Sequence, residues 1–303
     1  MFSKRILWQG LIEDLAEDFL SYFYPEHIHL LDYERGFEFS QVPLGRAETV
    51  YLGENKPLFQ LLTGYQHNGT AIRFLIYIDL LGSPPSDLGK MLFHTASRVL
   101  KRYGDTLNTL VVYLGPPNEL HVAEYFQEFW KGAILFSFLT YELFEKSAEE
   151  LLTHPSLISL VLAAAQVPPQ TPDGEQFQSK RDLIRTLFSR DYPVWKIRRV
   201  LHFIRFYHPF TQAQYDRNLV ETIRQENPGG IAMGMEVHML RELEEHMMDK
   251  GIKQGRIQEK RTAAWNLLFS PDFQTGSISL DLISNVTGLS KEEIEELYRG
   301  MEG

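Results

Sequence analysis

Residues 56–81 read KPLFQLLTGYQHNGTAIRFLIYIDLL, and the fold turns on this stretch. Two apolar runs, Leu58–Tyr65 and Ile72–Leu81, flank the turn His67-Asn68-Gly69. Asn-Gly between two such runs is the strongest short-range signal for a β-hairpin, because both residues tolerate a positive φ. The second run, with Ile72, Phe74, Leu75, Ile76, Tyr77 and Ile78, is almost continuously apolar. That is expected of a central strand covered on both faces. Asp79, near its end, is its single acid.

Upstream, Leu7, Leu11, Leu15, Phe19, Leu20 and Phe23 recur at helical spacing, which predicts a helix over Leu7–Tyr24 stopped by Pro25. Short extended pieces follow at Ile28–Leu31, Phe37–Leu44 and Thr49–Leu52. Downstream, Gly82-Ser83-Pro84-Pro85 breaks the strand. A helix over Asp87–Tyr103 comes next, with Ser86 or Asp87 as N-cap and Gly104 as its stop. Thr109–Leu114 is another buried strand, closed by Gly115-Pro116-Pro117. Helix, three strands, helix, strand is the order of an α/β layer with a central sheet.

A second hairpin is expected at Tyr125–Trp130 and Ile134–Leu139, turning at Lys131-Gly132. From Tyr141 to Arg224 the pattern turns helical, with helices near Leu157–Ala165, Lys180–Phe188 and Tyr192–Tyr207. The Pro-rich linker Val167–Gln176 separates the first two. Pro228-Gly229-Gly230 marks a further boundary, followed by a long charged helix over Ala232–Leu268. A helical hairpin over Leu280–Tyr298 closes the chain, with Ser290 and Glu293 as a capping box. Three regions result: a sheet domain over residues 1–140, a helical domain over 141–227, and a long helix plus helical hairpin over 228–303.

The chain has 303 residues, 40 Asp plus Glu against 30 Lys plus Arg, a net charge of −10 and no cysteine. A hydrophobic fraction of 44% places it among globular proteins and outside the disordered class. Without Cys there is no disulfide framework, thiolate zinc site or Cys nucleophile. The acidic balance argues against coating nucleic acid through the whole surface and leaves room for a local basic groove. Glu13, Asp14, Glu17 and Asp18 interrupt any signal-peptide core, and no apolar run reaches the ~20 residues of a membrane span. A cytoplasmic protein with no membrane contact is expected. The histidines are scattered, read as surface residues, and form no His-Glu-x-x-His helix. Gly-x-Ser-x-Gly and Walker loops are absent.

Several blocks, in order, carry a resemblance over nearly the whole chain. They are Phe19–Glu26, the hairpin at 56–81, Lys90–Phe93 with Lys101–Gly104, His154–Leu157 with Val161–Ala163, Lys250–Arg256, and Asn285–Glu295. Together they resemble the Rpn family of recombination-promoting, transposase-like nucleases of the PD-(D/E)XK superfamily. The resemblance implies a mixed central sheet flanked by helices. It also implies a DNA endonuclease in which two hairpin carboxylates hold Mg²⁺ and a Lys or Gln two residues after the second positions the attacking water. Mg²⁺ takes hard oxygen ligands, lowers the pKa of a bound water and stabilises charge on the phosphate.

The chain departs from that pattern. Aligned without a gap, the first carboxylate falls on Phe59, the second on Asp79, and the water-positioning residue on Leu81. Phe cannot coordinate a hard cation and Leu cannot hydrogen-bond. Losing a water-orienting group alone typically costs ~10²–10⁴-fold. The expectation is a nuclease fold with a degenerate, inactive site that retains a DNA-binding or partner-binding role. One alternative is a weak Mg²⁺-dependent endonuclease using Asp79 with a relocated acid: Glu48, since Gly45–Val50 also resembles the first motif, or Glu38. Another is a purely regulatory or structural interaction protein.

Lys90, His94 and Arg98 share one face of the helix that lies along the cleft in the family, and they are the candidate DNA contacts. Basic residues also gather at Lys180, Arg181, Arg185, Arg190, Lys196, Arg198, Arg199 and Arg205, and again over Lys250–Arg261. Either group reads as a solvated helix face or a phosphate track. Met233, Met235, Met239, Met247 and Met248 suit the C-terminal helix to a protein partner or to self-association.

Overall fold

The computed structural model describes residues 3–45, 57–80, 82–104, 106–118 and 120–226, and then residues 279, 280, 283, 284 and 294. The chain divides into two compact units, Met1–Ala232 and Met233–Gly303. In the second unit, the described Ile283 and Ile294 are buried. The expected long helix at Ala232–Leu268, its methionines, the basic group at Lys250–Arg261 and the capping box Ser290/Glu293 lie outside the described residues.

The first unit is α/β. Its elements, in chain order, are α1 (Lys4–Asp14), α2 (Ala16–Phe23), β1 (Glu38–Ser40), β2 (Leu58–Tyr65), β3 (Ala71–Asp79), α3 (Leu88–Tyr103), β4 (Leu107–Tyr113), β5 (Glu124–Phe129), β6 (Gly132–Ser137) and β7 (Leu139–Glu142). Five helices follow: α4 (Ala148–Thr153), α5 (Leu157–Gln166), α6 (Asp173–Phe188), α7 (Val194–Phe206) and α8 (Ala213–Glu226). The main sheet is mixed, in the order β1-β2-β3-β4-β7, while β5 and β6 form a separate two-stranded ribbon. β1, β2 and β3 pair antiparallel; β4 and β7 add in parallel to β3 and to β4.

The hairpin joining β2 and β3 closes as expected. Gln66 and Thr70 are bonded across its mouth, the Asn68 side chain accepts the Thr70 N–H at 2.9 Å, and Gly69 takes φ +83°. That left-handed position is open to Gly without strain. Because side chains alternate across a strand, the hairpin presents two apolar faces. Phe59, Leu61, Leu75 and Tyr77 meet Leu88, Met91, Leu92, Ala96 and Val99 of α3. Leu58, Leu62, Phe74, Ile76 and Ile78 belong to a second core with α1, α2, α5 and α7, in which Trp8 packs edge-on to Phe203 at 5.0 Å. Each such buried aliphatic or aromatic side chain contributes ~1.5–3 kcal/mol. Every residue from Leu157 to Ala165 of α5 is buried; the span is apolar except for Ser159, whose hydroxyl donates to the Ser156 carbonyl at 2.7 Å. One core thus runs from the sheet into the helices that follow it.

The structure differs from the local readings in five places. The helix expected over Leu7–Tyr24 is two, because Leu15 leaves helical geometry (φ −118°, ψ 36°) and Glu17 and Asp18 open α2 where the helix dipole favours acids. Ile28–Leu30 is a 3₁₀ turn, and the strand expected over Phe37–Leu44 shrinks to β1. Thr49–Leu52 lies outside the described residues. The second ribbon strand ends at Ser137; Leu139–Glu142 leaves it to join the main sheet. The linker after α5 is shorter than expected, since α6 starts at Asp173 directly after Pro172.

Candidate functional site

Asp79 is the last residue of β3, and two-fold alternation places it on the α3 side of the sheet with Tyr77. In register it stands beside Tyr113 of β4, which stands beside Glu142 of β7. Asp79, Tyr113 and Glu142 therefore form a row across the carboxyl ends of three parallel strands, the edge where open α/β sheets place ligands. Sequence reasoning missed Tyr113 and Glu142, since only the pairing of β7 with β4 brings Glu142 into line.

The Tyr113 ring fills the middle of that row. It stacks on His121 with centroids 3.9 Å apart and planes 9° apart. Its hydroxyl donates to the Val122 carbonyl at 2.8 Å and accepts the Val122 N–H at 2.9 Å. Burial pushes this hydroxyl up to about 12, the Val122 bond opposes that, and the charges of Glu142 and Asp79 add to it. His121 Nδ1 lies 2.7 Å from Glu142 Oε2, its side chain only 5% exposed. The expectation that the histidines sit at the surface fails here: with the ring stacked on Tyr113, Nδ1 meets Glu142 and Nε2 meets Asn118 at 3.2 Å, so the ring is buried with both polar needs met. Just beyond the row, the loops after β3 and β4 meet at Gly82 and Gly115, where a Cβ on Gly115 would stand 2.3 Å from the Gly82 Cα.

The seats expected of a Mg²⁺ site can be placed residue by residue. Phe59, in the seat of the first carboxylate, faces Tyr77 across the hairpin and packs edge-on to it at 5.0 Å and 72°. Asp79 is 1% exposed. A Mg²⁺ ion keeps several waters and needs ligands at ~2.0–2.1 Å, and a carboxylate this deeply buried does not provide that access. Glu142 does not replace the missing acid. Two strand spacings put its Cα ~10 Å from that of Asp79, with the Tyr113 ring between them. Glu38 lies at the opposite end of the hairpin: it is paired with Thr63, which faces Arg73, and its carboxylate accepts the Tyr65 hydroxyl at 2.6 Å. The six residues from Arg73 to Asp79 span ~20 Å. Glu48 and Leu81 lie outside the described residues. The described residues therefore do not fit a Mg²⁺ site at Asp79.

Of the candidate DNA contacts, Lys90 and His94 are exposed on α3. Arg98 is half-buried and committed elsewhere, its Nε–H donating to the Pro43 carbonyl at 2.8 Å and its Nη2 to Thr95 at 3.3 Å. The exposed stripe of α3 continues instead through Ser97 to Lys101, with Arg102 beside it, and the helix contains no acid. The larger basic group is mostly structural. Lys196 pairs with Asp18 and Arg199 with Asp14, both at 2.7 Å. Arg205 holds Asp216 with two bonds, Arg185 reaches Glu226 at 2.9 Å, and Arg190 donates to the Leu152 carbonyl. Lys180, 4% exposed, caps α7 by donating to the Arg205 and His208 carbonyls, and burial brings it down to about 8.

Compared with protein-family models, with curated proteins and with solved structures, the chain matches none.

Proposed function

We propose that the chain is a nuclease-fold protein of the recombination-promoting, PD-(D/E)XK type whose metal site has decayed, and that it binds nucleic acid without cutting it. The observation that carries this reading is the Phe59–Tyr77 pair: an aromatic contact stands at the position the resemblance gives to the first carboxylate, and Asp79, the second, is 1% exposed. Support also comes from the mixed five-stranded sheet flanked by helices, the architecture the resemblance implies. The binding half rests on α3. Lys90, His94 and Lys101 project from an acid-free helix of a chain with net charge −10. The eleven residues from Lys90 to Lys101 span ~16 Å, enough to follow a few consecutive phosphates of one strand.

The test is retention of duplex DNA as a function of salt. Lys90→Ala/Lys101→Ala should weaken retention for all sequences alike and lower the slope of log K against log salt by ~0.9 per lost phosphate contact. An unchanged slope, or no retention by the wild type at low salt, removes the nucleic-acid role.

A further inference from the structure

We propose that a second copy of the chain docks on the free edge of β6, joining the two ribbons into one four-stranded antiparallel sheet, β5-β6-β6-β5, about a two-fold axis at Leu135. Among the described residues, α3 holds the ribbon on one face, where Tyr125 stacks on Phe93 at 5.4 Å and Phe136 approaches the same ring at 5.9 Å. The other face carries the facing pair Phe126 and Leu135. Phe126, Phe129, Trp130 and Leu135 are 56, 48, 103 and 62% exposed. Phe126 and Leu135, the two on that face, leave roughly 240 Å² of apolar surface in water at ~200 Å² for each large side chain, while Phe129 alternates to the α3 face.

The two edges of the ribbon are not alike, and the difference selects the occupant. The bond from the Phe138 N–H to the Ala123 carbonyl sets the ladder, so bonded pairs alternate from there to Phe129–Gly132. The outward backbone groups therefore belong to Glu124, Phe126 and Glu128 on β5 and to Ala133, Leu135 and Ser137 on β6. Among the described residues neither row has a strand partner. Inward or flanking charge is how natural sheets protect an edge, and β5 has Glu124 and Glu128. The β6 edge has no charge and no proline along Gly132–Ser137, the composition that pairs with another strand unless something covers it.

A second copy fits that edge on its own terms. Antiparallel pairing about Leu135 sets Leu135 against Leu135 and Ala133 against Ser137, and all outward N–H and C=O groups on β6 find partners. Phe126 and Leu135 of both copies then form one continuous apolar face. The same operation on β5 would oppose Glu124 and Glu128, which like-charge repulsion disfavours. Those two acids also repel phosphate, which excludes nucleic acid as the occupant. A two-fold pairing closes on itself, so it yields a dimer and no fibre.

The experiment is sedimentation equilibrium of the full chain, paired with a cross-link. Wild type should sediment as a dimer at tens of micromolar. Leu135→Lys, a change at an exposed position that circular dichroism should show folded, places two ammonium groups on the axis and should weaken the dimer at least ~10²-fold. Because the chain has no cysteine, Leu135→Cys gives a single thiol. Bonded cross-strand pairs stand ~5.5 Å apart at Cα, within disulfide reach, so mild oxidation should link the copies. Gln127→Cys, on the outer strand of the joined sheet, should not. A monomeric wild type, a Leu135→Lys variant that dimerises as well as wild type, or equal linkage through positions 135 and 127 overturns the proposal.

Discussion

Replacing Phe59 by Ala separates a decayed site from a working one. Phe59 is 5% exposed and touches the α3 core through Tyr77. Truncating a buried Phe costs ~3–5 kcal/mol through lost transfer energy and the cavity left behind. The edge-on contact with Tyr77 accounts for ~0.5–1.5 kcal/mol beyond area burial. Against a typical domain stability of ~5–15 kcal/mol, Phe59→Ala removes a large share, while Phe59→Leu keeps most of the volume and costs ~1.5 kcal/mol or less. Urea unfolding followed by circular dichroism reads both as shifts in midpoint at constant slope. DNA retention should be unaffected by Phe59→Leu, which stays folded and leaves α3 intact. A Phe59→Ala loss below ~1 kcal/mol would mean that this aromatic seat is not part of the core, and the argument that packing has replaced a ligand would fail.

Gly115→Ala should destabilise by ~1–3 kcal/mol, read as a lowered Tm, because its methyl would meet the Gly82 backbone; a variant as stable as wild type refutes that close approach. Arg98→Ala loses a charged hydrogen bond to the Pro43 carbonyl worth ~1.5–3 kcal/mol and should lower Tm with little effect on the salt slope of DNA retention, whereas Lys90→Ala should do the reverse. Burial lowers His208 to about 3 and His202 to about 4. Below the ordinary value near 6.5 the unfolded chain binds protons that the folded chain does not, so stability is complete above pH ~6.5 and falls as pH drops from there toward 4. His208→Gln should flatten that loss in thermal melts across the same window, and an unchanged slope would show that another group sets it.

The hairpin, α3 and the buried strand β4 were legible because their signals are local: Asn68-Gly69 for the turn, continuous apolar runs for central strands, Gly104 for the helix stop. β7 was not. It is four residues long and half-exposed, and it becomes a strand only because β4 offers an edge. The row Asp79–Tyr113–Glu142 was hidden for the same reason, since register between distant segments carries no local pattern. That Phe59 stands where the resemblance expects a carboxylate was visible in the sequence, but its contact with Tyr77 and the burial of Asp79 required the packed sheet. The basic group at 180–205 could not be sorted from sequence, because most of its partners, Asp14, Asp18 and Glu226, are far away along the chain and Asp216 lies on the next helix. Leu15 split the first helix although its spacing fits one helix, an instance of tertiary packing overriding local periodicity.

The central claim, a nuclease-type fold without a working metal site, is tested most directly by cleavage of supercoiled plasmid in Mg²⁺ or Mn²⁺, comparing wild type with Asp79→Ala. The account predicts no metal-dependent nicking by wild type beyond that of the variant; metal-dependent cleavage that Asp79→Ala abolishes would contradict it.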